Sequence, residues 1–494
     1  MAEDKALYRK ILKSTTIFGG LQVSIILISI VRTKAIALLI GPAGMGIAGL
    51  LNAAVNLISG LTSVGLETSG VKYISSENEN DDKARLARTV AVLRKAVWIT
   101  SVVGALVTIA LSFWLSTVTF GSSEYTIWFI WISLALLFKQ LAAGQFAILQ
   151  GLQKLKRLAQ ANFAGSVVGL LVSLPLYYYF KTDAIVPAII LSAATSFFFG
   201  WYFARNVDVE KVKIPNRMLL REGKAMLSLG LMLSISGVIT VFVAYLIQIY
   251  IGSKSSLTDV GLYNAGITLL NSYVALIFSA MGTDYFPRLA AISDDNSKVR
   301  TTVLHQAQIS ILIITPIIIL FLAFAPLVVS LLFSSKFIAI IPMVSVGIVG
   351  MLFRAVSWSM GFILLAKGDS KIFIKTAFGF NSLYLLLSVA GYYFYGLTGL
   401  GFAFTVHYAL HFAILRIIVG KRYQFFFEPN FNKVLFICMI LCVTTYFFTF
   451  IASEMLRYFA MALFVAISLA YSVAELHKKI NLIQVIKQIK DKFK

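Results

Sequence analysis

Lys139 and Arg354 stand near the middle of two long apolar runs, 215 residues apart. An ionisable group inside a membrane span costs about 2.5–3.5 kcal/mol on insertion scales, so it usually faces a cavity and serves a function. Two cations at equivalent places repel unless an anion comes between them, and phosphate or pyrophosphate suits lysine and arginine well. The plainer alternative is that each is neutralised by a carboxylate or backbone carbonyls and merely holds helices together. Arg32 and Lys34, shortly before Pro42, are further candidates for the same anion, although basic side chains near a helix end also snorkel to the head groups.

Glu67 and Asp284 are the acidic candidates. Each lies toward the end of an apolar run with a basic residue just beyond it, Lys72 and Arg288. They could form local ion pairs, or exchange such a pair for a proton or cation and so couple transport to an ion gradient. Asn56, Asn271, Gln145 and His407 are candidate polar lining, able to meet sugar hydroxyls or to join helices. His407 and His411 are one helical turn apart, but no glutamate lies between them and no third ligand is evident, so no metal site is expected. No P-loop, dinucleotide fingerprint or metalloprotease pattern is present, and no cofactor or enzymatic activity is expected.

These residues belong to an internal repeat. The stretch GPAGMGIAGLLNAAVNLISGLTSVGLETSGVKY, residues 41–73, is matched by VGLYNAGITLLNSYVALIFSAMGTDYFPRL, residues 260–289. One offset of 215 places Gly46 on Gly261, Asn56 on Asn271, Thr68 on Thr283, Lys139 on Arg354 and Lys156 on Lys371. A repeat of several helices with a mid-span cation in each copy is the pattern of a transporter built from two halves around a central site.

Composition sets the solvent for this machinery. Of 494 residues 59% are hydrophobic and 13% charged, and the mean hydropathy is +0.86, which places the chain in lipid. The net charge of +22 lies in short connections, where head groups explain it better than nucleic acid does. Apolar runs of about 20 residues number fourteen. With the N-terminus inside, 35 of the 43 Lys and Arg fall in inner connections and only Lys181, Lys254, Lys336 and Arg457 in outer ones. That asymmetry fixes the count and puts both termini in the cytoplasm. The expected fold is an all-α integral membrane protein of 14 transmembrane helices: a first lobe over 1–206, a cytoplasmic linker over 207–222, a second lobe over 223–420 and an appended two-helix hairpin over 431–475. Residues 478–494 read as an amphipathic helix on the inner membrane surface. Cys438 and Cys442, four apart in one run, are poorly placed for a disulfide and should pack. Pro316 and Pro326 should kink the ninth span.

GPAGMGIAGLLNA, GVKYISSE, MGTDYFPRL, LLFSSKFI and LLAKGDSKIFI, in that order, resemble the Wzx-type O-antigen translocases, polysaccharide flippases of the multidrug/oligosaccharidyl-lipid/polysaccharide (MOP) exporter superfamily. The resemblance implies two pseudo-symmetric six-helix lobes opening in a V. It also implies a cargo of oligosaccharide on undecaprenyl pyrophosphate, carried from the inner to the outer leaflet of the bacterial inner membrane by alternating access. Polymerase and other polysaccharide-assembly proteins are the partners it suggests. Its basic cavity residues fall on Lys34 and Arg354; Lys139 is added by the internal repeat. The appended hairpin is similar to that of the fourteen-helix lipid II flippases, where the last two helices form a groove for the lipid tail. A lipid II-type flippase and a cation-coupled multidrug antiporter are the alternatives within the superfamily; mid-span cations suit the second poorly.

Overall fold

The computed structural model describes residues 2–79, 82–205, 207, 209, 210, 212, 214–273, 285, 286 and 288–479, with side chains from Ser24 onward except at 216–220, 272, 273 and 479. Asp284, and the expected surface helix beyond residue 479, lie outside the described residues. The described elements are helical. They are α1 (Ala2–Ser63), α2 (Leu66–Glu79), α3 (Lys83–Ala110), α4 (Ser112–Phe120), α5 (Thr126–Gly151), α6 (Leu155–Phe180), α7 (Ile185–Ala204), α8 (Asn216–Lys254) and α9 (Leu257–Thr268). After a π-helical turn, Leu269–Tyr273, follow α10 (Asn296–Leu332), α11 (Ile341–Ala366), α12 (Ser370–Tyr423), α13 (Pro429–Phe448) and α14 (Glu454–Lys479).

Ten described segments are long and apolar enough to cross a membrane. Three are too long for one crossing: 40 residues over Ser24–Ser63, 50 over Leu155–Ala204 and 54 over Ser370–Tyr423, against about 20 for a bilayer of about 30 Å. Each is broken once by left-handed backbone, at Gly41 (φ 65°), Lys181 (φ 52°) and Gly396 (φ 57°). Each therefore supplies two spans. Among the described residues these make thirteen spans, and the apolar run that α9 opens is the fourteenth of an all-α membrane protein.

The repeat extends to the backbone. Lys181 and Gly396, both left-handed, stand at the 215-residue offset, and so do Gln153 (φ 54°) and Gly368 (φ 67°), in the turns after α5 and α11. Local departures from the expected spans have physical causes. A turn at Val64 and Gly65 (φ 49° and 66°) ends the second span early, because Gly65 lies backbone to backbone on Gly230 of α8. The ninth span leaves helical geometry at Phe324, just before Pro326, whereas Pro316 is accommodated without a break.

The chain divides into two compact units, residues 1–261 with 332–334, and 262–331 with 335–494. In the first, Leu66, Ile74, Leu93, Val97, Leu141 and Ile148 form a core of α2, α3 and α5 that also takes in Met226 of α8. In the second, α10 and α11 supply most of the core. The appended hairpin joins it through Phe431, Val434, Leu435, Cys438, Leu441 and Cys442, whose spacing of three and four keeps them on one face of α13. Both cysteines are free and buried. Large apolar side chains such as Phe113, Leu171, Leu386 and Phe459 stay exposed, as lipid-facing positions do.

Candidate functional site

In the first unit Lys139 projects from α5, and its Nζ donates a hydrogen bond to Asn56 Oδ1 on the second half of α1. In the second unit Arg354 projects from α11, and its Nη1 donates to Asn271 Oδ1 at 2.5 Å. Donor and acceptor are 83 residues apart in both pairs. The repeat thus preserves an interaction, not only residue types: each mid-span cation is gripped by the amide oxygen of an asparagine. An amide orients the cation without cancelling its charge. Among the described residues, neither cation has a carboxylate at ion-pair distance.

The surroundings of the two pairs differ. Glu67 opens α2 directly after the Val64–Gly65 turn, and it and Lys139 lie within each other's electrostatic field. Gln140, beside Lys139, is turned to Thr62 Oγ1 at 2.7 Å and the Ser59 carbonyl at 3.3 Å, so it joins α5 to α1. Arg354 stacks over the Tyr408 ring at 5.2 Å, which suits a planar, weakly hydrated cation. Asn271 lies within the π-helical turn, and such insertions are frequent at functional sites because they re-aim side chains.

The remaining candidates are dispersed. Arg32 donates from Nη2 to Ser192 Oγ of α7 at 2.8 Å and lies beside Tyr177 of α6, so it is held within the first unit. Lys34 is half-buried on α1. Gln145 packs at Gly200 of α7, away from the Lys139 side of α5. His407 is buried against Tyr384 (5.0 Å) and Tyr408 (4.9 Å). Tyr408, Tyr384 and Ser192 were not singled out from sequence. Writing the two halves above each other exposes them, because Tyr384 falls on Gly169 and His407 on Ser192.

One further contact sits at the start of the second span. A Cβ on Gly46 would overlap the Leu257 carbonyl oxygen, and a Cβ on Gly261 would overlap that of Pro42. Pro42 and Leu257, like Gly46 and Gly261, are equivalent under the repeat. Two helix ends therefore cross at equivalent points, with only glycine tolerated on either side.

Several solved transporters share the fold. The lipid II flippase MurJ in an inward closed conformation aligns with a TM-score of 0.67 at 12% identity, covering 94% of this chain and 99% of that one. A multidrug resistance MATE family transporter of the MOP superfamily aligns in its inward-facing conformation with a TM-score of 0.70 at 15% identity, covering 82% and 95%. The outward-facing conformation gives 0.60 at 14% identity, covering 83% and 94%. No curated protein matches the sequence. Residues 35–342, more than half of the chain and a stretch holding Asn56, Lys139 and Asn271, match the polysaccharide biosynthesis protein family. A multi-pass membrane protein with the MOP-transporter fold and that match is a member of the polysaccharide biosynthesis protein family.

Proposed function

We propose that this chain is a flippase that moves an oligosaccharide linked to undecaprenyl pyrophosphate from the inner to the outer leaflet of a bacterial inner membrane by alternating access, with both termini cytoplasmic. Lys139 and Arg354 bind the pyrophosphate, Lys34 and Arg32 add positive potential, and Asn56 and Asn271 hold the two principal cations in place. Glu67 is the coupling candidate on the Lys139 side, and Asp284 its counterpart. The oligosaccharide is passed on to polymerase and other assembly proteins.

The repeated cation–asparagine pair carries this reading. A mid-span cation paired to a carboxylate is a structural strut, whereas one oriented by a neutral amide keeps its charge for a ligand. Family membership supports a polysaccharide-related cargo over a cationic drug, which two such cations would repel. Complementation of a flippase-deficient strain tests the proposal. Lys139→Ala and Arg354→Ala at wild-type abundance are expected to lose surface polymer, and normal polymer from both would overturn the anion site.

A further inference from the structure

The second unit holds two imidazoles that the transport scheme leaves unused. His407 and His411 lie one turn apart on α12 with ring centroids separated by 6.0 Å. Both Nδ1 atoms are buried without a hydrogen-bond partner, an arrangement that costs stability when nothing offsets it. His407 lies against Tyr384 and Tyr408, and His411 meets Phe380 at a tilt with ring centroids 4.0 Å apart. The Tyr408 ring lies 6.1 Å from that of His411 and carries Arg354 at 5.2 Å. Both imidazoles interact electrostatically with Arg354. The ionisable neighbours are Arg354 from α11, Tyr384 and Tyr408 from α12, and Tyr263 of α9, whose hydroxyl pairs with that of Tyr384. No described carboxylate joins the group.

The internal repeat shows what these imidazoles replace. At the 215-residue offset His407 falls on Ser192, His411 on Ser196, Phe380 on Gly165 and Tyr384 on Gly169. In the first unit Gly165 and Gly169 let α6 pack closely on Ser192, Thr195 and Ser196 of α7, and Ser192 bonds Arg32. The position equivalent to Arg32 is Ile247. A permanent charge in one half of the repeat is thus exchanged for a pair of titratable rings in the other. Arginine stays protonated at any physiological pH, while histidine changes charge within it.

We propose that His407 and His411 form a proton-binding site that fills when an anion binds at Arg354, so that positive charge in the second unit rises only with cargo present. The inference rests on the pyrophosphate reading above. With Arg354 unoccupied, the nearest described formal charge to the rings is positive and so is its field. A bound pyrophosphate diester, with two negative charges, reverses that field, and one proton enters from solvent onto a free Nδ1. By linkage, anion affinity then falls by up to about tenfold per pH unit as pH rises between the proton affinities of the free and loaded states. Release of the anion returns the proton.

The test uses full-length protein in nanodiscs and a short-chain polyprenyl-pyrophosphoryl-N-acetylglucosamine, a diester whose own charge is constant near neutrality. Calorimetry in two buffers of different ionisation enthalpy counts protons taken up per anion bound. About one proton is expected for the unchanged protein and none for His407→Asn/His411→Asn, with His305→Asn, an exposed imidazole of α10, retaining the uptake. Should the double variant not fold, each single variant is read in the same way, and affinity in the unchanged protein that is flat from about pH 5.5 to 8 overturns the proposal by itself. Uptake that persists without the histidines and vanishes with Glu67→Gln also overturns it. Absence of any diester binding instead sinks the pyrophosphate reading, whereas binding without proton uptake sinks only the histidine site.

Discussion

Asn271→Asp is nearly isosteric and leaves the bond to Arg354 in place, but it turns a neutral acceptor into an anion 2.5 Å from Nη1. Charges about 3 Å apart in a surrounding of effective dielectric about 20 attract by roughly 5 kcal/mol. Desolvation of two half-buried ions returns about half of that, leaving a net pairing of about 2–3 kcal/mol. A pyrophosphate must displace this built-in competitor, so its affinity is expected to fall by about 30- to 150-fold. Folding should not suffer, because the new pair is native in geometry. Asn271→Ser, which shortens the acceptor and adds no charge, should cost only a few-fold. The assay pairs diester binding with surface polymer in a flippase-deficient strain and a thermal melt. Loss of polymer at equal or higher melting temperature supports the argument. Wild-type binding and polymer from Asn271→Asp would refute it, since a permanently neutralised Arg354 would then be harmless.

Gly46→Ala or Gly261→Ala forces a methyl into the backbone carbonyl of Leu257 or Pro42; each is expected to destabilise by about 1–3 kcal/mol in a chemical melt and to lower polymer export. At Lys181, a non-glycine residue at φ 52°, Lys181→Gly is expected to stabilise by about 1 kcal/mol, and Gly396→Ala at the equivalent position to destabilise by at least as much. Asp369 caps α12 and accepts from Arg422 Nε at 2.5 Å and Tyr423 Oη at 2.9 Å. Desolvation raises its carboxyl pKa, but the hydrogen bonds from Tyr423, Arg422 and the Ile372 amide outweigh this and hold it below the usual range. A depressed carboxyl contributes stability above its unfolded value, about 4, and loses it as pH falls through the folded value. Melts of Asp369→Asn between about pH 3 and 6 should therefore show a weaker acid dependence than the parent.

The fourteen spans were legible because hydropathy and the distribution of Lys and Arg report the solvent of each segment directly. The 215-residue offset was legible for the same residues that later proved to interact, Asn56 with Lys139 and Asn271 with Arg354. Their pairing was not, because an offset shows equivalence between copies and says nothing of contact within one. Gly396 advertised its turn through residue type, whereas Lys181, in the same backbone region, did not: lysine carries no signal for left-handed geometry. For Arg32 the sequence offers a cavity and the head groups alike, and its bond to Ser192 adds a partner that depends on side-chain packing between distant helices. The histidine pair was visible as a spacing, but its meaning emerged only when its neighbours were set against the glycines and serines of the other half.

The two anchored cations differ in kind, and the difference sets what each can offer an anion. Lys139 presents a compact, strongly hydrated charge on a flexible stem, with Glu67 near enough to modulate it. Arg354 presents a planar fork whose face is already taken by Tyr408 and one of whose nitrogens is fixed by Asn271. Such a fork favours a defined, two-point hydrogen-bonding geometry, while an ammonium accepts a range of angles. A pyrophosphate diester is itself unsymmetrical, with a polyprenyl chain on one phosphate and a sugar on the other. The duplicated scaffold keeps the asparagine grip in both halves and changes the cation and the groups around it, so the two copies do not offer an anion the same geometry.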